Sequence, residues 1–191
     1  MKSKNKRSMV KKIGLMFVIL LSFNIQAQEA SVEKSIFGVQ AGIMGVWLNN
    51  EVKLSSTVAL RSEVGFRATN LRIGNPIYSR GNEPFIPLVL TIEPRWYYDI
   101  KKRHSRGLCI ANNSATFVSL KLRHHAGWLM LSGKQPSNIQ IIPMYGLRGS
   151  IGQHFNYEIG VGIGYQHTFT SVKEEIDVWA FNIVLRIGYT F

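Results

Sequence analysis

The feature that most constrains this chain is an alternation of apolar and polar residues with a period of two. In its last segment every odd position from Trp179 to Phe191 is a large apolar residue, whereas the even positions include Asn182, Arg186 and Thr190. A period of two places every second side chain on the same face of a β-strand, so each segment predicts a strand with one apolar face. Seven such segments are visible, at 36–47, 57–68, 88–99, 117–130, 139–151, 157–169 and 179–191.

The segments are separated by residues that favour turns. We predict tight reversals at Asn49–Asn50 and at 153–156. Longer polar loops are predicted at 69–85, 100–115, 132–138 and 170–177. No helix of note is predicted, so the chain is expected to be an all-β antiparallel protein.

Two architectures fit this alternation. In a soluble sandwich the apolar faces pack together and the polar faces meet water. In a transmembrane β-barrel the apolar faces meet lipid and the polar faces line the interior. Single-chain bacterial barrels have an even number of strands, so eight strands are expected although seven are visible. The strand that is not visible is expected in 28–35 or in 69–85, or else the division of 35–68 into strands is wrong.

The N-terminal residues are predicted to form a secretory signal peptide rather than part of the fold. Basic residues precede an apolar stretch at 13–23, and a small-residue pattern predicts cleavage after Ala27, leaving one domain at 28–191. Six of the 23 Lys and Arg residues belong to 1–27, so the mature chain has 17 of them against 11 acidic residues. This halves the basic excess, and because the chain is exported we predict no nucleic-acid partner.

Charged residues favour the barrel over the sandwich. None occupies the apolar register of the seven segments, and the opposite register holds a set that we predict to face the lumen. This predicted charge network consists of Arg61, Glu63, Arg67, Glu93, Arg95, Lys121, Arg123, Arg148, Glu158 and Arg186.

Aromatic residues favour the same choice, because all four Trp residues fall on predicted apolar faces near segment ends. Amphipathic rings at both edges of an apolar band are typical of the two interfaces of a membrane-spanning barrel. The predicted interface aromatics are Trp47, Trp96, Tyr98, Trp128, Tyr157, Tyr165, Phe169, Trp179, Tyr189 and Phe191.

Four stretches also carry a family resemblance: IEPRWYY at 92–98, NNS and SLK within 112–121, HFNYEIGVGIG at 154–164, and RIGYTF at 186–191. Through them the chain resembles the small outer-membrane β-barrel proteins of Bacteroidota-type Gram-negative bacteria, over essentially all of 28–191. The resemblance implies a location in the bacterial outer membrane and contact with membrane lipid. It also implies recognition by the outer-membrane assembly machinery through a last strand that ends at Phe191. No established activity comes with it.

The interior of an eight-stranded barrel is just wide enough for side chains to fill it. The predicted inward charges have both signs, so we expect a filled, ion-paired interior in which Gly160, Gly162 and Gly164 make room for long Arg side chains. The alternative is a narrow pore for small solutes, because seven predicted inward residues are basic and three are acidic.

A chain used almost wholly for strands favours a non-enzymatic outer-membrane protein with a structural role or with loops that bind partners. The less favoured alternative is an enzyme at the barrel rim that modifies lipid or peptide. Its candidate groups lie near one loop without a recognised spacing: His167, Ser171, Glu174, Glu175 and Asp177.

No motif predicts a cofactor or a metal. Gly160, Gly162 and Gly164 have strand spacing and are followed by no helix, unlike a dinucleotide-binding loop. His124 and His125 are adjacent in a strand, so they point to opposite faces. Cys109 is expected to be a structural thiol. The basic turn at 101–106 is expected at the periplasmic side, solvated or touching anionic headgroups.

Overall fold

The computed structural model of the chain describes residues 30–43, 45–67, 88–126, 137–169 and 176–191. These residues form eight strands: β1 (Ser35–Gly42), β2 (Gly45–Lys53), β3 (Val58–Arg67), β4 (Leu88–Trp96), β5 (Thr116–Ala126), β6 (Asn138–Ile151), β7 (Phe155–Thr168) and β8 (Ile176–Thr190). A short helix α1 (Ile100–Ser105) and a 3-10 helix (Ala111–Asn113) lie between β4 and β5. The predicted signal peptide and most of the loops predicted at 69–85, 132–138 and 170–177 lie outside the described residues.

Each strand pairs antiparallel with the next, and β1 pairs with β8, so the sheet closes into an eight-stranded barrel. The prediction of an all-β antiparallel barrel with eight strands is therefore confirmed. We call the end where β1 begins and β8 finishes the terminal end, and the opposite end the loop end. The turns after β2 and β6 and the segment containing α1 lie at the terminal end.

The eighth strand results from a wrong division of 35–68. The predicted strand 36–47 is two strands, because the chain reverses between Gly42 and Gly45, which face each other in the β1–β2 register. Gly45 has a φ of +151°, and a Cβ there would collide with the carbonyl oxygen of Phe66. The predicted reversal at Asn49–Asn50 is also wrong, since both residues lie inside β2 and pair with β3.

The described residues contain almost no helix, as predicted, and the exceptions are α1 and the 3-10 helix in the segment that joins β4 to β5. Ile100 at the start of α1 is fully buried and supplies the apolar anchor of this segment. Asp99 holds it to β5, because its carboxylate accepts hydrogen bonds from the backbone N and the hydroxyl of Thr116, both at 2.8 Å. Among the described residues, no helix is long and apolar enough to cross a membrane.

Burial alternates along every strand whose side chains are described. The inward positions hold most of the buried polar and charged residues, and the outward positions hold most of the exposed large apolar residues. This distribution is the reverse of a soluble globular domain, in which apolar side chains are buried and charged ones are exposed.

Candidate functional site

Ion pairs across the lumen show that the charged faces of the strands point inward. Arg95 on β4 donates to both oxygens of Glu158 on β7, at 2.9 and 2.8 Å, and Arg61 on β3 reaches the same carboxylate at 3.2 Å. All three side chains are buried. Because one carboxylate holds two guanidinium groups from the opposite wall, Glu158 ties the two sides of the barrel together.

A second group of ion pairs lies beside Glu158. Glu63 on β3 accepts a hydrogen bond from Arg186 on β8 at 2.7 Å and another from the adjacent Arg61. Glu93 accepts from Arg95 at 3.0 Å and lies 3.5 Å from the ammonium of Lys121. These contacts join residues from β3, β4, β5, β7 and β8 into one buried network.

The structure buries nine of the ten residues of the predicted charge network and leaves Arg67, at the loop end of β3, half-buried. The sequence prediction missed one member, Glu51, because the assumed turn at Asn49–Asn50 removed it from a strand. Glu51 is fully buried and accepts hydrogen bonds from Arg148 at 3.1 Å, Tyr97 at 2.7 Å and Asn113 at 2.6 Å. Its place on the same face as Asn49 would have indicated it, had β2 been recognised.

A cluster of apolar side chains, which we call the plug, is buried at the terminal end of the lumen. It consists of Val32, Ala59, Tyr97, Ile100, Ala115 and Phe117. Burial raises the pKa of the Tyr97 phenol and the neighbouring Glu51 carboxylate raises it further, so the phenol stays protonated and donates to Glu51. The guanidinium of Arg95 lies 4.2 Å from the ring centre of Phe117, so the plug packs directly on the charge network.

The 3-10 helix fastens the plug to the barrel wall. Asn112 and Asn113 have positive φ angles of 55° and 58°, a conformation that Asn tolerates better than most residues. Backbone N of Asn112 donates to the Glu33 carboxylate at 2.6 Å, and the Asn113 side chain accepts from backbone N of Glu33 at 2.8 Å. These two hydrogen bonds hold the segment before β1 across the terminal end.

The loop-end half of the lumen contains neutral polar groups and a small apolar cluster. Arg123 donates to the amide oxygens of Gln140 at 3.1 Å and Asn182 at 3.2 Å. Below it lies the buried apolar cluster, which consists of Ile142, Met144, Ala180 and Val184.

The inward glycines of β7 were expected to make room for Arg side chains, but they do not. A Cβ at Gly162 would collide with the sulfur of Met144, and one at Gly164 would meet backbone of β6. The space above these glycines is therefore occupied by apolar side chains of the neighbouring strand and by close strand packing.

Trp47 is the predicted interface aromatic that the structure places on the other face. It is 5% exposed and points into the lumen, where the guanidinium of Arg186 lies 3.8 Å from its ring centre. The prediction of an outward Trp47 is wrong because the reversal between Gly42 and Gly45 changes which positions face outward. Val46 and Leu48 take the outward positions instead.

Of the other predicted interface aromatics, Trp128 lies outside the described residues. Trp96, Tyr98, Tyr165, Phe169, Trp179 and Phe191 are exposed on the outer surface, and Tyr157 and Tyr189 are half-buried there. They form two groups. At the terminal end, Phe191 packs against Phe37 and Tyr189 with ring centres 5.7 and 5.3 Å apart, whereas Tyr165, Phe169 and Trp179 lie towards the loop end.

The outer surface between these two groups is apolar. In the described strands the outward positions hold no Lys, Arg or Glu, and their one Asp, Asp177, lies at the loop end. The exposed side chains between the aromatic groups include Leu48, Val64, Leu90, Ile92, Leu120, Leu122, Ile141, Ile159, Val161, Ile163, Ile183 and Leu185. Large exposed apolar surfaces are typical of sites that bind another protein or a membrane.

The structure brings together two of the candidate groups for an enzyme at the barrel rim. His167 Nδ1 lies 2.9 Å from the Asp177 carboxylate, on the outer face at the loop end. Ser171, Glu174 and Glu175 lie outside the described residues. Among the residues described, no group of three or more His, Cys, Asp or Glu side chains is arranged to hold a metal ion.

Three smaller predictions have mixed outcomes. His124 and His125 do face opposite sides, since His125 is buried in the lumen and hydrogen-bonded to Asn138 at 2.7 Å. The glycines of β7 lie in a strand, not in a nucleotide-binding loop. Cys109 is exposed, so the expected packing role for its thiol is wrong.

Comparison of the chain with protein-family models, with curated proteins and with solved structures finds no match. Function is therefore inferred from the geometry and chemistry of the barrel itself.

Proposed function

We propose that the chain is an integral β-barrel protein of a Gram-negative outer membrane, with its outer surface in lipid. The observation that carries this proposal is the reversed distribution of side chains around a closed sheet. Exposing an apolar side chain to water costs about 1.5–3 kcal/mol relative to burying it, and the outer surface holds many such side chains. Hydrocarbon removes that cost, while the charges stay paired inside.

The dimensions of the strands support the proposal. A membrane-crossing strand needs about 9–11 residues when tilted, and the strands have 8 to 15 residues. The two groups of aromatic side chains lie at opposite ends of the apolar surface, at the levels expected for the two membrane interfaces.

The even strand number gives the proposal a consistent orientation. β1 begins and β8 finishes at the terminal end, and the connections after β2 and β6 at this end are short, as periplasmic turns of outer-membrane barrels are. We propose that the loop end faces outside, and that the last strand ending at Phe191 is the part recognised by the assembly machinery.

Within that setting we propose a non-enzymatic role, structural or through partners bound at the loop end. A lumen filled with ion pairs supports rigidity more than passage. The plug and the Arg95–Glu158 pairs lie in the path of any solute, which disfavours the pore alternative.

The test is expression of the full chain in a Gram-negative host, followed by fractionation and gel electrophoresis of unheated and heated samples. We expect the mature protein in the outer-membrane fraction, with a folded form that migrates differently before heating. Recovery of the product in the soluble periplasmic fraction, without detergent, would contradict the proposal.

A further inference from the structure

The buried charges are unevenly distributed along the barrel axis. Every buried carboxylate of the described residues lies in the terminal or middle part of the lumen: Glu51, Glu63, Glu93 and Glu158. Each of them forms ion pairs with basic side chains at the same level. Arg67 and Arg123 lie nearer the loop end, and neither forms an ion pair with any carboxylate that the structure describes.

Arg123 is 5% exposed, yet its hydrogen-bond partners are the neutral amides of Gln140 and Asn182. The nearby charges that act on it are two further cations, Arg67 and Arg186, and two carboxylates, Glu63 and Glu93. Neither carboxylate touches Arg123, because Glu63 is held by Arg186 and Arg61, and Glu93 by Arg95 and Lys121. Arg186 is already bound to Glu63. A buried guanidinium without a counter-charge is costly, so this end of the lumen carries a positive charge that an anion would neutralise.

Two residues in the same row of the sheet as Arg123 have buried polar atoms without a hydrogen-bond partner. Thr91 is the cross-strand neighbour of Arg123, and Asn49 is the cross-strand neighbour of Glu63, which itself faces Thr91. The Thr91 hydroxyl and both polar atoms of the Asn49 side chain are buried without a hydrogen-bond partner. Their residues are 3% and 2% exposed.

These groups form a donor set suited to an oxyanion. A guanidinium offers two parallel N–H donors to a carboxylate or phosphate, and hydroxyl and amide groups can donate to its remaining oxygens. The carboxylate of this row, Glu63, is held through Oε1 by Arg186 and Arg61.

This place is closed on its terminal side. The terminal side is filled by the plug and by the pairs that join Arg61 and Arg95 to Glu158. The apolar cluster around Ile142 and Met144 forms one wall and offers nothing to an ion.

We propose that the loop-end half of the lumen is a binding site for one small soluble oxyanion of the phosphate or carboxylate class. Arg123 is its main ligand, and Arg67 and Thr91 complete it. The site goes beyond the membrane role proposed above and does not depend on it, because its ligands all face the lumen.

The test measures binding of inorganic phosphate by isothermal titration to the full mature chain refolded in zwitterionic micelles, with chloride at equal ionic strength as the reference. We expect phosphate to bind and to raise the midpoint of urea unfolding more than chloride does. Arg123→Gln should weaken phosphate binding about tenfold or more, since it removes a charge-assisted hydrogen bond. Arg106→Gln, an exposed basic residue of the connection between β4 and β5, is the matched control and should bind as the parent does.

The stability of the same variants separates a ligand from a structural role. Without phosphate, Arg123→Gln should be at least as stable as the parent, because it removes a buried charge that has no counter-charge. Added phosphate should then stabilise the parent more than the variant. Equal effects of phosphate and chloride on the parent, or unchanged phosphate affinity in Arg123→Gln, would overturn the proposal. If Arg123→Gln does not refold, Arg67→Gln is judged by the same affinity criterion.

Discussion

At the scale of single residues, the interior depends on carboxylates that each serve more than one cation. Glu158 binds two guanidinium groups from the opposite wall, and Glu51 binds a guanidinium, a phenol and an amide. Removing one partner of a buried pair leaves the other charge without compensation, which costs more than the pair itself contributes. The shared carboxylates are therefore the most sensitive positions in the lumen.

Glu158→Gln tests this sensitivity directly. The change keeps the shape of the side chain but leaves Arg61 and Arg95 without their common counter-charge, so we expect a loss of about 3–5 kcal/mol in the free energy of unfolding. Urea unfolding in micelles, followed by the gel mobility of the folded form, measures it. Lys102→Gln on the exposed face of α1 is the control and should stay within about 0.5 kcal/mol of the parent. Equal stability of the two variants would contradict a shared role for Glu158.

At the scale of elements, the strands that sequence alternation predicted well are the long ones. β6, β7 and β8 have 14 or 15 residues, and their alternation is interrupted little by turns. In 36–53 the alternation gave the wrong strand boundaries. The connection between Gly42 and Gly45 is only two residues long, whereas Asn49–Asn50 has the composition of a turn. Whether two adjacent polar residues form a turn or stay in a strand depends here on pairing with β3, which a single sequence does not reveal.

The plug was not predictable for a related reason. Val32, Ile100 and Phe117 are far apart in sequence and have no common period, so nothing marks them as one cluster before the chain is folded. The anion site was hidden in the same way. Its basic residues were predicted to face inward, but the separation of their level from that of the carboxylates depends on strand register.

Val161→Arg tests which surface of an element meets lipid. Val161 is outward and lies at the middle of β7. In a bilayer, an Arg on the lipid face near the midplane costs about 2–4 kcal/mol. In water the same exposed position would accept Arg with little change. Unfolding by urea in phospholipid vesicles should show the loss for Val161→Arg and almost none for Val161→Leu. A Val161→Arg variant as stable as the parent in vesicles would contradict a lipid-facing β7.

At the scale of the whole molecule, the barrel is closed laterally by its sheet and filled along its axis. The plug at the terminal end, the ion pairs in the middle and the apolar cluster beyond them lie one above another. In the described part of the chain, the terminal end and the middle of the lumen are therefore occupied by side chains.

Planar-bilayer recording tests this consequence. We expect the inserted wild-type protein to show no single-channel steps, because the plug and the ion pairs occupy the terminal end and the middle of the lumen. A general porin inserted under the same conditions supplies the positive control. Reproducible conductance steps from the wild-type protein would favour the pore alternative and contradict the filled lumen.

The barrel wall is shorter where β1 pairs with β8 than where β7 pairs with β8. β1 pairs with β8 only from Gly38 to Gly42, opposite Arg186 to Thr190, whereas β7 follows β8 up to Ile176. Trp179, Phe181 and Ile183 are 74–77% exposed, more than any other large apolar residue that the structure describes. Peptide groups left without a strand partner are poorly tolerated in hydrocarbon. We therefore expect the bilayer to thin locally beside the β1–β8 seam, where the wall of the barrel is lowest.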